Sequence, residues 1–211
     1  MDIARFKKLP IMGIVRGVDD VSIDSLVEAV ISSGLETLEI TMNTGNAQGL
    51  IRRAARVAGH RLIIGAGTVL SMESLKSAID AGATFIVTPV VIDEVMEYCV
   101  KKAIPVFPGA LTPGEIYRAW KAGAAMVKVF PSGFFGPRYF SEIKGPFEKI
   151  ELMACGGVTA ENISAYFHNG ASAVAFGASI FKKEWLADKE FGYISREILR
   201  LVESFNRANI K

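Results

Sequence analysis

Histidine and cysteine, the side chains that most often announce a metal or thiol centre, are scarce in this chain. His60 and His168 stand far apart with no ligand-spaced partner, so no metal site is expected. The two cysteines, Cys99 and Cys155, are too few for a disulfide framework and read as free thiols of a reducing compartment. Neither sign of charge prevails. The 24 basic and 22 acidic residues are scattered rather than striped, which argues against a nucleic-acid partner, and the pairs Lys7-Lys8 and Lys182-Lys183 read as solvated surface. No uncharged apolar run is long enough to span a bilayer and Met1 to Pro10 lacks a signal-peptide core, so a cytoplasmic protein without membrane contact is expected. A linker rich in proline, serine or charge is also missing. With half of its 211 residues hydrophobic, the chain reads as one domain over 1–211.

What is present is a repeat of elements. Strand-length apolar runs recur at Ile11 to Val15, Thr37 to Thr41, Arg61 to Gly65, Thr84 to Thr88, Ile104 to Phe107, Ala125 to Phe130, Ile150 to Ala154 and Ser172 to Phe176. Between them lie helical stripes such as Ile23, Leu26, Val27, Val30 and Ile31, with Asp19 or Asp20 placed to cap that helix. Eight strand-then-helix units predict an α/β fold, a parallel (β/α)8 TIM barrel, over an open doubly wound sheet. A last amphipathic segment, Ile194, Ile198, Leu201, Val202 and Phe205, would close the outer ring.

Four strands follow a helix-ending glycine at one offset: Gly34-Leu-Glu-Thr-Leu-Glu39, Gly82-Ala-Thr-Phe-Ile-Val87, Gly123-Ala-Ala-Met-Val-Lys128 and Gly170-Ala-Ser-Ala-Val-Ala175. If they alternate around a barrel, Glu39, Val87, Lys128 and Ala175 share one interior layer. Opposite charges then sit where bulky apolar side chains are usual. Burial should lower the pKa of Lys128 and free a nucleophilic amine, while Glu39 moves protons for it. The plainer reading of the same residues is an ion pair kept for stability.

Polar groups gather at strand exits, where barrel sites form. Arg16 could fork around a substrate carboxylate, and Thr68 could bind the same group or cap the next helix. Asn43 and Thr88 lie at equivalent exits. After the seventh and eighth strands come Gly156-Gly157 and Gly177-Ala178-Ser179, small-residue loops suited to phosphate.

The ordered segments Leu38-Glu-Ile-Thr41, Ile64-Gly-Ala-Gly-Thr-Val69, Phe85-Ile-Val-Thr-Pro89, Val106-Phe-Pro-Gly109, Val127-Lys-Val-Phe-Pro131, Lys144-Gly-Pro-Phe147 and Gly156-Gly-Val158 resemble the bacterial 2-keto-3-deoxy-6-phosphogluconate (KDPG) and 4-hydroxy-2-oxoglutarate (KHG) aldolase family. The resemblance implies a class I aldolase with Lys128 as Schiff-base lysine and Glu39 as general acid and base. It also implies a pyruvyl pocket of Thr68, Pro89 and Phe130, no cofactor, and a homotrimer acting on a phosphorylated keto acid, the gluconate form first and the galactonate or hydroxyoxoglutarate substrates as alternatives. Two departures stand out. Asn43 occupies a position where many members carry a substrate-binding Arg, which shifts the carboxylate clamp to Arg16, and Ala154-Cys155 replaces Pro-Thr before the paired glycines. Competing readings are a phosphate-binding isomerase or synthase barrel and a non-catalytic metabolite-binding barrel.

Overall fold

In the computed structural model, which describes residues 1–209, eight parallel strands close into a barrel in sequence order. They are β1 (Ile11–Val15), β2 (Thr37–Thr41), β3 (Ile63–Gly67), β4 (Ile86–Thr88), β5 (Val106–Ala110), β6 (Val127–Val129), β7 (Leu152–Cys155) and β8 (Ala173–Phe176). A short helix α1 (Ile3–Lys8) precedes them. The outer ring is α2 (Ile23–Ser32), α3 (Ala47–Ala58), α4 (Met72–Asp80), α5 (Asp93–Lys101), α6 (Pro113–Lys121), α7 (Arg138–Lys144) and α8 (Ile163–His168), followed by α9 (Lys183–Ala187) and α10 (Phe191–Asn209). This is a (β/α)8 TIM barrel.

Side chains alternate along each strand, so one set faces the helices and the other fills the barrel. Leu38, Ile40, Ile86, Val127 and Val129 pack outward in the main core beneath the helices. Val87 and Ala175 belong to a separate interior cluster with Met12, Phe85, Phe107, Met153 and Cys155. α1 plugs the end opposite the site: Phe6 is buried and meets Phe107 edge-on at 5.9 Å, and Phe107 meets Phe85 at 5.8 Å. α10 packs on α2 and α8, burying the residues whose spacing marked it as the closing helix.

β1 and β2 keep the bounds read from sequence, β4, β6 and β8 are shorter than expected, and β3, β5 and β7 shift toward their carboxyl ends, β3 running to Gly67 and β5 to Ala110. The glycines inside β3 and β5 serve packing. A Cβ on Gly65 would lie 2.3 Å from the Phe85 ring, one on Gly109 would lie 2.1 Å from the Pro89 carbonyl oxygen, and one on Gly67 would overlap the Glu39 carboxylate. In each case a missing side chain on one strand makes room for a neighbouring one.

The helix starts also differ from expectation. Ser22 is the N-cap of α2, and Asp19 acts one step earlier by accepting from the Ser22 N–H at 2.8 Å. Thr68 caps nothing, because Ser71 begins α4 through a reciprocal box with Ser74.

Candidate active site

At the carboxyl ends of the strands the barrel opens into a cavity of about 810 Å³. Glu39 and Lys128 are inside its mouth, 1% and 9% exposed. β2 and β6 carry them inward because their flanking residues are large apolar groups that the helices bury. The interior has room for two long polar side chains because its neighbours there are small: Gly65 stands beside Glu39, and Gly109 beside Lys128, in register on the adjacent strands.

The two charges are not simply paired. None of the ion pairs among the described residues involves Lys128 or Glu39, and Glu39 Oε2 is buried with no hydrogen-bond partner there. Burial raises the pKa of Glu39 against the opposing pull of Lys128 and Arg16. On Lys128 burial favours the neutral amine, yet the negative charge of Glu39, with a smaller pull from Cys155, outweighs it and lifts the pKa above the ordinary lysine value. The lowered pKa expected from burial alone is thus corrected. Cys155 is itself pushed up by burial and is a neutral thiol near pH 7, leaving Glu39 as the group that holds the ammonium. When Glu39 takes up a proton, burial acts on Lys128 unopposed and turns it toward the free amine.

Around this pair the cavity gathers Arg16, Thr68, Pro89, Phe130, Gly156, Gly157, Gly177, Ala178 and Ser179. Lys128 Nζ lies 5.7 Å from the centre of the Phe130 ring. Arg16 is exposed at the exit of β1 and takes part in none of the ion pairs among the described residues. Thr68 has φ +54°, a left-handed conformation that costs a β-branched residue about 1–3 kcal/mol. Strain of this kind persists where the surrounding structure enforces it, and here it sits on the cavity wall.

The glycine loops present unused donors. Gly156 O accepts from Ser132 Oγ at 2.8 Å and Gly157 O from Asn162 Nδ2 at 2.8 Å. In a trans peptide the N–H points opposite its carbonyl, so the N–H groups of Gly157 and Val158 are aimed away from those partners. Gly177 O is likewise taken by the N–H groups of Ile180 and Phe181. Among the described residues, the N–H groups of Gly157, Val158, Ala178 and Ser179 make no backbone hydrogen bond. Such a cluster of free donors suits an anion.

Asn43 is not brought to the cavity. Thr44, one residue on, turns inward instead: its Oγ1 meets Thr41 Oγ1 at 3.0 Å and accepts from the Gly17 N–H at 3.1 Å, which leaves Asn43 exposed on the turn. Thr88 is also absent from the lining; its hydroxyl donates to Val90 O at 2.7 Å. Sequence reasoning missed Ile14, Gly17, Asp19, Phe181, Lys183, Leu186 and Ala187 on the wall. Three of them, 183, 186 and 187, share one face of α9, a helical spacing that was legible but too short to stand out.

A family model described as KDPG and KHG aldolase matches residues 3–197. The chain belongs to this family. The 2-dehydro-3-deoxy-6-phosphogalactonate aldolase of Escherichia coli (strain K12) is 34% identical over 83% of this chain and 86% of its own length. The 2-dehydro-3-deoxy-phosphogluconate aldolase of Pseudomonas aeruginosa is 36% identical over 75% of this chain and 70% of its own. A solved structure of native KDPGal superimposes with a TM-score of 0.90 at 31% identity, covering 97% of this chain and 98% of the other. The barrel is therefore an aldolase of the KDPG and KHG family, and no helix among its described residues is long and apolar enough to cross a membrane.

Proposed function

We propose that this aldolase reversibly cleaves a 2-keto-3-deoxy-6-phospho sugar acid to pyruvate and D-glyceraldehyde 3-phosphate, as a cytoplasmic enzyme whose barrel works as one catalytic domain. The observation that carries the reading is a buried lysine facing a buried, partner-free carboxylate inside the mouth of a barrel. Glu39 takes a proton and Lys128, as the free amine, attacks the C2 ketone; Glu39 returns the proton to the departing hydroxyl as the iminium forms. The iminium withdraws electrons from C3. Glu39 then accepts the C4 hydroxyl proton, the C3–C4 bond breaks, and the pyruvate enamine left on Lys128 is protonated and hydrolysed. Arg16 and Thr68 hold the carboxylate, Pro89 and Phe130 flank the pyruvyl carbons, and the loops at 156–157 and 177–179 hold the phosphate.

The gluconate epimer is the substrate reached from the sequence. A second reading, the galactonate epimer, is favoured by the near full-length likeness to native KDPGal. Family resemblance further suggests a homotrimer.

The test is incubation with pyruvate and borohydride, then peptide mapping. A reduced pyruvate adduct on Lys128 is the expected result, and a folded protein that traps nothing would remove Lys128 as nucleophile. Comparing kcat/KM on the two epimers decides between the substrates.

A further inference from the structure

The paired lysines 182 and 183 look alike in sequence, and the fold separates them. Lys182 Nζ lies 4.1 Å from the centre of the Trp185 ring, and Trp185 in turn stacks on Tyr193 of α10 at 5.7 Å. That cation is held against the outside of α9. Lys183 lines the cavity together with Leu186 and Ala187, and it takes part in none of the ion pairs among the described residues.

The path from the phosphate-loop residues to Lys183 is short and tied. Ile180 and Phe181 both donate to Gly177 O, at 3.0 and 2.9 Å, and Lys182 donates to Ile180 O at 2.9 Å. The Phe181 ring stacks on Phe176 of β8 at 5.5 Å, and Leu186 is buried. Lys183 therefore stands four residues beyond Ser179 on a fixed turn, on the same cavity as the free N–H groups at 178 and 179. The charged side chains lining the cavity are Arg16, Lys128 and Lys183 against Asp19 and Glu39. Lys128 and Arg16 are committed to the keto-acid end, so neutral N–H donors alone would face a phosphate dianion.

We propose that Lys183 is a specificity-determining residue that supplies the positive charge for the phosphate of the substrate. This rests on the aldolase reading above. An ammonium is a compact point charge suited to such a group, and its contribution is to binding rather than to bond cleavage.

The experiment compares wild type, Lys183→Ala, Lys183→Arg and Lys182→Ala on a phosphorylated 2-keto-3-deoxy acid and on its unphosphorylated counterpart. Lys183→Ala is expected to raise KM for the phosphorylated substrate about tenfold, the scale of one charge-assisted hydrogen bond lost, with kcat and the unphosphorylated KM unchanged. Lys183→Arg should restore most of the loss, Lys182→Ala should be silent, and inorganic phosphate should inhibit the alanine variant more weakly than wild type. An equal effect on both substrates, or none, overturns the assignment. Pyruvate trapping by borohydride is run on the same samples. Trapping in wild type and variant with an unchanged phosphorylated KM removes the role of Lys183 alone, whereas no trapping in wild type removes the aldolase reading beneath it.

Discussion

Three residues at the mouth of the barrel have opposing effects on fold and chemistry. Thr68 is held at φ +54°. In Thr68→Gly, relief of about 1–3 kcal/mol of strain is partly offset by the greater freedom of glycine in the unfolded chain. Chemical denaturation is expected to show stability held or raised by about 1 kcal/mol while kcat/KM falls, and a clear loss of stability would mean that the conformation is unstrained. Gly67 leaves the space that the Glu39 carboxylate fills. In Gly67→Ala the carboxylate must move, and a displacement near 1 Å at a proton-transferring group costs about 100-fold in rate; steady-state kinetics should show that loss in kcat, with circular dichroism unchanged. Glu39 has a raised pKa from burial, so between the ordinary carboxylate value and its folded value the native state holds a proton that the unfolded state has released. Stability from this group therefore falls as pH rises through that window. Glu39→Gln should be inactive and should lose this part of the pH dependence, so that denaturant midpoints measured at pH values above the ordinary carboxylate range fall less steeply than in wild type.

Elements at the two ends of the barrel serve different ends. At the closed end α1 inserts Phe6 against Phe107, far from the cavity lining. Phe6→Ala leaves a cavity in the interior cluster and should cost about 3–5 kcal/mol, with KM and kcat unchanged below the new melting transition; altered kinetics at temperatures where the variant is fully folded would show that the two ends are coupled. At the open end the strand bounds read from sequence stop short of Gly67 and Gly109. Gly65, Gly67 and Gly109 lie inside strands because Phe85, Glu39 and the Pro89 carbonyl occupy the volume their side chains would need, and a local pattern carries no record of a neighbour some twenty or more residues away. Strands flanked by ordinary apolar runs, β1 and β2, coincide with the segments read from sequence. For the same reason the strand-exit position of Asn43 is no guide to its direction: Thr44 is buried with its hydroxyl against that of Thr41, and Asn43 is exposed.

For the molecule as a whole, the outer surface carries exposed apolar groups. Phe134 is 89% exposed and Phe135, whose ring lies 5.1 Å from that of Tyr139, is 54% exposed, on the turn that follows β6 and the lysine strand. A homotrimer would give these rings a place to be buried, and light scattering coupled to gel filtration should return three times the chain mass. Replacing Phe134 with Asp should lower that mass if the turn lies in the contact; a wild-type chain that elutes as a monomer would end the trimer proposal. The sequence by itself determined the eightfold alternation, the inward phase of Glu39 and Lys128 and the glycine loops, because each rests on periodicity or spacing along the chain. Only the tertiary structure decided that Glu39 keeps Lys128 protonated rather than letting burial strip it, that Thr68 is strained, and that Lys183 rather than Lys182 reaches the cavity. Those outcomes depend on distances and directions between elements remote in sequence, where opposing electrostatic effects and competition for one volume are resolved.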